Sequence, residues 1–206
     1  MYKIGQKVQQ DCQADMDWYL RAANQGLSQA QGGLYDYRIF THAKDWYLKA
    51  AAQNYSPAQT SIGDLYTNGQ GVSRNYSHTM DCFLRASNQG DPSAQNRIGC
   101  LYQLGNDVPQ DSVKAMYWYE KALIQGYAEA QNNIGYMYYS VHNVSKGYSR
   151  AMDWYRKAAN QGHVAAQHTT GWLYERGQGV SKDEARAMEW YKTTADGGND
   201  DSKKTA

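Results

Sequence analysis

Ala151 to Arg186 reads AMDWYRKAANQGHVAAQHTTGWLYERGQGVSKDEAR, and variants of these 36 residues make up most of the remaining chain. With Trp154 as anchor, the counterparts are Trp18, Trp46, Cys82, Trp118 and Trp190, spaced 28 residues at the first step and 36 at every later one. Eight residues after the anchors stand Gly26, Asn54, Gly90, Gly126, Gly162 and Gly198. Ala-Gln follows at twelve and thirteen, from Ala30-Gln31 to Ala166-Gln167. A fixed period of this size means stacked supersecondary repeats, each of which buries its apolar face only against its neighbours.

Each repeat divides into two helices. In the fourth, Asp111-Ser112 opens a segment whose Ala115, Trp118, Tyr119 and Ala122 share one helical face, which is helix A. After Gly126, Ala130-Gln131, Ile134-Gly135 and Tyr138 mark helix B. Ser56-Pro57 and Asp91-Pro92 each read as an N-cap followed by proline at the first helical position. Glycine-bearing loops ending in Val72, Val108 and Val180 close the repeats, and the fourth has Val141-His142-Asn143-Val144 instead.

The expected fold is therefore all-α, an α/α superhelical solenoid of about five and a half 36-residue two-helix repeats. Residues 1–14 hold the end of a preceding repeat and the start of a helix A. A shortened repeat follows at 15–42, with a stacking defect expected where Trp46 arrives early. Full repeats span 43–78, 79–114, 115–150 and 151–186; a partial repeat at 187–196 ends near Ala195, and 197–206 is a polar tail. Met1-Tyr2, Gly5 and Val8 match Leu65-Tyr66, Gly69 and Val72, so the chain reads as starting inside a repeat.

Aliphatic residues are scarce, whereas Tyr numbers 19 and Trp 6, so the core is expected to pack alanine against aromatic rings. A net charge of +1 gives no general electrostatic case for nucleic acid or anionic membrane. No apolar run of membrane-spanning length is present, nor an apolar leader segment at the start. Cys12, Cys82 and Cys100 share no spacing and read as reduced thiols of a cytoplasmic protein. Sequons at Asn54, Asn75 and Asn143 point the other way, toward a secretory compartment.

No local signature of catalysis stands out. The glycine pairs Gly69/Gly71 and Gly177/Gly179 lack the strand and the third glycine or Lys of phosphate loops, and read as turns between repeats. No His-Glu-x-x-His occurs, and no cysteine or carboxylate completes a zinc set around His163 and His168. Asp17/Arg21, Asp45/Lys49, Asp81/Arg85 and Asp153/Lys157 put acid four residues before base, a solvated helical stripe. Met16, Met80, Met116, Met152 and Met188, two before the anchors, are expected in the core between repeats.

The candidate binding residues are those that turn aromatic where other repeats are polar. Tyr117 stands one before its anchor, where the other repeats carry an acid. Tyr136 and Trp172 occupy the position of Asp64 and Cys100, and Tyr139 that of Thr67, Gln103 and Glu175. Such aromatics either form an interaction hot spot or pack between repeats.

The pattern carried by Ala151, Trp154, Tyr155, Ala158, Ala159, Gly162, Ala166, Gln167, Leu173, Tyr174, Gly177, Gly179 and Val180 resembles the Sel-1-like repeat (SLR) family, over residues 1 to about 196. The resemblance implies a right-handed superhelix related to tetratricopeptide repeats, with helices A on its concave side. It also implies adaptor work in multiprotein complexes, such as endoplasmic-reticulum degradation machinery or fungal cell-wall synthesis. The expected function is a non-enzymatic, monomeric scaffold with no cofactor, whose partners are proteins or peptides. An adaptor fragment for degradation in the endoplasmic reticulum is one alternative. A hydrolase like the cysteine-rich, β-lactamase-type members is the other, although their disulfide in each repeat is not reproduced here. Asn54 at the turn glycine and Cys82-Phe83 in place of Trp-Tyr depart from the pattern, and are expected to soften packing at the second and third repeats.

Overall fold

The computed structural model describes residues 44–106, 108–140 and 145–203. The shortened repeat at 15–42, the segment at 1–14, Cys12, Met16, Asp17, Arg21 and the loop Val141 to Val144 lie outside the described residues. Among those described there are nine helices and no strand. The chain divides into two compact units between Asp111 and Ser112.

The first unit contains α1 (residues 44–52), α2 (Ser56–Asn68), α3 (Tyr76–Asn88) and α4 (Pro92–Leu104). The second contains α5 (Ser112–Leu123), α6 (Ala128–Ser140), α7 (Ser145–Asn160), α8 (Val164–Arg176) and α9 (Glu184–Lys203). Within each unit consecutive helices pack on one another, α2 on α3 on α4, and α5 through to α9 in turn. Helices α1, α3, α5, α7 and α9 are the A helices; the others are the B helices.

The core follows the repeat register. Ala50, Ala86, Ala122 and Ala158, four after their anchors, are buried, as are Ala58, Ala94, Ala130 and Ala166 at twelve. Phe83, Tyr119 and Tyr155, one after theirs, are buried rings among these small residues. Gly63, Gly135 and Gly171 at the centres of B helices receive the rings of Phe83, Tyr155 and Tyr191 from the next A helix. A methyl group there would collide with the ring, so bare backbone lets the helices approach closely. Phe83 thus fills the same socket as the tyrosines, without their hydroxyl.

Side-chain amides join consecutive repeats. Gln89 donates to Gln59 Oε1 at 2.8 Å, and Gln161 donates to Gln131 Oε1 at 2.9 Å. A second recurrent contact sets the residue four before an anchor on the tyrosine ending the previous B helix: His78 on Tyr66, Arg150 on Tyr138 and Arg186 on Tyr174.

The turn from helix A to helix B demands a left-handed residue. Gly90, Gly126 and Gly162 have φ of 86°, 73° and 84°, and Asn54 adopts 65° at the same position. Asparagine tolerates this region better than other residues with a β-carbon. Asn54 also accepts from Gln59 Nε2 at 3.3 Å, so the departure from glycine is accommodated locally.

Three expectations are corrected. The N-cap of α2 is Tyr55, with no side-chain cap, and Ser56 is already helical; its hydroxyl therefore does not cap. Asp91 does cap α4, accepting from Ser93 and Ala94. Met152 is buried at 2% exposure, but Met80 and Met116 are half-buried and Met188 is 58% exposed. Helix α7 is packed by both α6 and α8, whereas α9 is packed by α8, which leaves the Met188 side open. Finally, α9 continues through Gly197 and Gly198 to Lys203 rather than ending near Ala195. Glycine disfavours a helix by roughly 1 kcal/mol but does not forbid its φ and ψ.

Candidate functional site

All four candidate aromatics lie in the second unit. On α6, Tyr136 is 51% exposed and Tyr139, one turn later, is half-buried. The Tyr139 ring meets Trp172 of α8 edge to face, with centroids 5.9 Å apart, and Tyr148 of α7 at 5.3 Å. Tyr139 and Trp172 both lie against the buried cluster that contains Tyr155. Burial pushes the Tyr155 hydroxyl far above the usual phenol range, and the nearby hydroxyls of Tyr139 and Tyr136 add to this. The guanidinium of Arg176 stacks over Trp172, 4.6 Å from the ring centroid. Tyr139 and Trp172 therefore form one aromatic group beside Tyr155, and Tyr136 stands one helical turn before Tyr139 on α6.

Tyr117 stands elsewhere, on α5. It is 52% exposed and meets Trp118 edge on at 5.6 Å. Lys121 Nζ lies over both rings, 4.8 Å from Tyr117 and 4.6 Å from Trp118.

The charge stripe behaves differently from the expected row of ion pairs. Asp81 and Arg85 close at 3.0 Å. In α1 and α7, however, Lys49 lies over Trp46 at 4.7 Å and Lys157 over Trp154 at 3.9 Å. The anchor decides the outcome: a tryptophan offers the cation a π face, and Cys82 in α3 offers none, so Arg85 turns to its acid.

Val113 of α5 and Ile124, the residue after its end, are large apolar side chains exposed at 79% and 85%. Comparing repeats at five before and six after the anchor carries that signal, since the matching residues of α3 and α7 are Ser77 and Asn88, Ser149 and Asn160.

The titratable groups point to structural duties. His163 caps α8, accepting at Nδ1 from the Ala166 amide, while its Nε2 meets Glu129 at 2.7 Å. An Nδ1 that accepts leaves the proton on Nε2, directed at the carboxylate. His168 lies against the Tyr191 ring instead. Among the described residues no cluster of three or more His, Cys, Asp or Glu has metal-binding geometry. Cys82 is a free thiol, and burial and Asp81 raise its pKa, favouring the protonated, unreactive form. Two of the sequon asparagines have local roles: Asn54 occupies the left-handed turn, and Asn75 caps α3 by accepting from the His78 amide. Asn143 lies outside the described residues.

The Sel1 repeat family model matches residues 1–27, 36–55, 56–91, 92–127, 128–163 and 164–199. The chain belongs to the Sel1 repeat family. Proteins of this family generally mediate protein–protein interaction. A Sel1 repeat protein from Oxalobacter formigenes is similar at 34% identity and TM-score 0.63, covering 79% of this chain and 65% of its own. A protective antigen of uropathogenic Escherichia coli displaying an SLR fold is 31% identical, with TM-score 0.63, over 88% of this chain and 40% of that one. This Sel1 repeat chain thus spans less than two thirds of either relative's length. An immunity protein from Pseudomonas aeruginosa, 21% identical over 91% of this chain and 66% of its own, shares the fold with TM-score 0.62. No match was found among curated proteins. No helix of the described residues is long and apolar enough to cross a membrane.

Proposed function

We propose that this Sel1 repeat chain is a non-enzymatic scaffold that assembles protein complexes, docking proteins or peptides on the aromatic surface of its second unit. Tyr117, Tyr136, Tyr139 and Trp172 are the docking residues. The observation that carries the reading is Tyr136, half exposed one turn from the Tyr139–Trp172 pair on a helix position that is acidic in the second repeat. A rigid, amphipathic aromatic side chain seated beside others buries area at little entropic cost, which is how interaction hot spots are built. The free thiol of Cys82 and the near-neutral charge fit a cytoplasmic monomer that uses neither cofactor nor nucleic acid.

The test is quantitative affinity enrichment from lysate, comparing wild type with a Tyr136→Ala, Tyr139→Ala, Trp172→Ala variant whose helicity is checked by circular dichroism. Loss of specific partners from a still-helical variant supports the docking face. Retention of every partner assigns these residues to packing.

A further inference from the structure

Helices α7 and α9 carry the same inner face. Aligned on their anchors, Ala151, Met152, Trp154, Tyr155 and Ala159 of α7 correspond to Ala187, Met188, Trp190, Tyr191 and Ala195 of α9, identical at all five places. The methionine, the tyrosine and the second alanine stand three and then four residues apart, on one helical stripe. In α7 the stripe Met152, Tyr155 and Ala159 is buried, in one cluster with Ala166, Leu173 and Tyr174 of α8. In α9 the matching Met188 is 58% exposed, Ala195 is exposed and Tyr191 is half-buried. Helix α7 is flanked by α6 and α8, whereas α9 has α8 on one side and no described helix on the other. What α9 lacks is the counterpart of α8, the B helix that completes a repeat.

Within the described residues the chain does not turn back to cover this stripe. Helix α7 ends at Asn160 and the backbone turns at Gly162, with φ of 84°. The matching Gly198 lies inside α9, which runs on to Lys203. The amide pairing of earlier joints stops here too. Gln59 and Gln131 each accept from a glutamine 30 residues later, but residue 197 is glycine, and among the described residues the buried Oε1 of Gln167 meets no donor. A second copy has no B helix to spare. The inner faces of the described B helices are buried in their own chain, at Ala58 and Ile62, Ala94 and Ile98, Ala130 and Ile134, and Ala166 and Leu173. Every substantial helix packing within the two units joins an A helix to a B helix, so a second α9 is the wrong type of partner.

We propose that α9 accepts a B-type helix of a different protein, which covers Met188, Tyr191 and Ala195 as α8 covers Met152, Tyr155 and Ala159. The partner helix presents small and aliphatic residues in the register of Ala166, Thr170 and Leu173, all buried in α8. This is a second surface and stands independently of the aromatic docking residues proposed above.

The probe is a labelled peptide with the sequence His163 to Arg176, held helical by a lactam joining positions 164 and 168, both exposed in α8. Fluorescence anisotropy follows its titration with the full chain. A matched peptide carries Leu173→Asp. The protein variant is Met188→Glu with Ala195→Arg, both at exposed helix positions, and circular dichroism verifies its fold. The first peptide is expected to saturate and to bind at least roughly tenfold more tightly than the second. The variant is expected to lose at least roughly tenfold in affinity for it, whereas Ile124→Asn and Tyr136→Ala bind it unchanged. No saturation, equal binding of both peptides, or a variant as tight as wild type overturns the proposal. So does self-association in sedimentation that the variant abolishes, which assigns the stripe to a second copy. Binding to phosphatidylcholine vesicles that the variant abolishes overturns it in favour of a membrane surface. Failure of the peptide alongside partner capture that still depends on Trp172 removes this inference and leaves the scaffold reading intact.

Discussion

The ring of Phe83 rests on the α-carbon of Gly63, so that a β-carbon at residue 63 would overlap the ring. The same socket holds Tyr155 on Gly135, where an added β-carbon would lie 3.0 Å from Cδ1. Gly63→Ala is expected to destabilise the chain by about 1–3 kcal/mol through overpacking. That loss comes despite a helix-propensity gain approaching 1 kcal/mol. Gly135→Ala, meeting its ring at a longer distance, should lose less. Urea denaturation followed by circular dichroism measures both, and a Gly63→Ala protein more stable than wild type would remove the socket from the account.

Asn54 is the one described non-glycine residue with positive φ, at a turn where a β-carbon at the matching Gly90, Gly126 or Gly162 meets nothing within 4 Å. Backbone strain alone therefore sets the preference. Gly126→Ala and Gly162→Ala should each lose roughly 1–2 kcal/mol. Asn54→Gly relieves the strain but gives up the contact with Gln59, and should change stability by less than about 1 kcal/mol. Thermal melts of the three variants check this, and an Ala variant equal to wild type would count against it.

The paired amides of Gln131 and Gln161 are open to a double-mutant cycle. Gln131 is 7% exposed, so Gln161→Ala leaves a buried amide short of a partner. The expected loss is about 1–3 kcal/mol. Removing both should cost less than the sum of the single losses, with a coupling of at least about 0.5 kcal/mol. Additive losses would show that the contact holds nothing together.

Asp64 gives a pH dependence of definite sign. Burial raises its pKa above 3.8, against the opposing pull of Arg97, whose Nε lies 3.1 Å from Oδ1. A carboxyl with a raised folded pKa holds its proton more tightly in the folded chain. Its contribution to stability is full below the unfolded value and declines as pH rises through the folded one. Relative to wild type, Asp64→Asn should therefore gain stability between about pH 3.5 and pH 6. Melting midpoints of both proteins at the two pH values decide it, and an unchanged or reversed difference would contradict the raised pKa.

The fold was legible because few residues carry it. Anchor, turn glycine and the Ala-Gln pair recur at fixed offsets, and the structure seats each where its size or backbone freedom requires. Less visible was anything decided by competition between partners. Lys157 sits four residues from Asp153 in the sequence, yet in the fold it lies on Trp154. Met188 matches Met152 by position and differs from it through the helices packed alongside. The aromatic group was partly legible: Tyr139 and Trp172 meet beside the cluster of Tyr155, while Tyr117 packs on its own neighbour Trp118. Its neighbours Val113 and Ile124 were open to the same comparison between repeats, at offsets where single aliphatic residues attract less notice than aromatic ones.

Ring sockets and amide pairs, which fasten one repeat to the next, carry no charge and lie away from the row occupied by Ser77, Asp81 and Asn88 or by Val113, Tyr117 and Ile124. Fastening and display are thereby assigned to separate residues. The outward rows of α3 and α7 can thus differ from that of α5 while the ring sockets of α2 on α3 and of α6 on α7 repeat the same form.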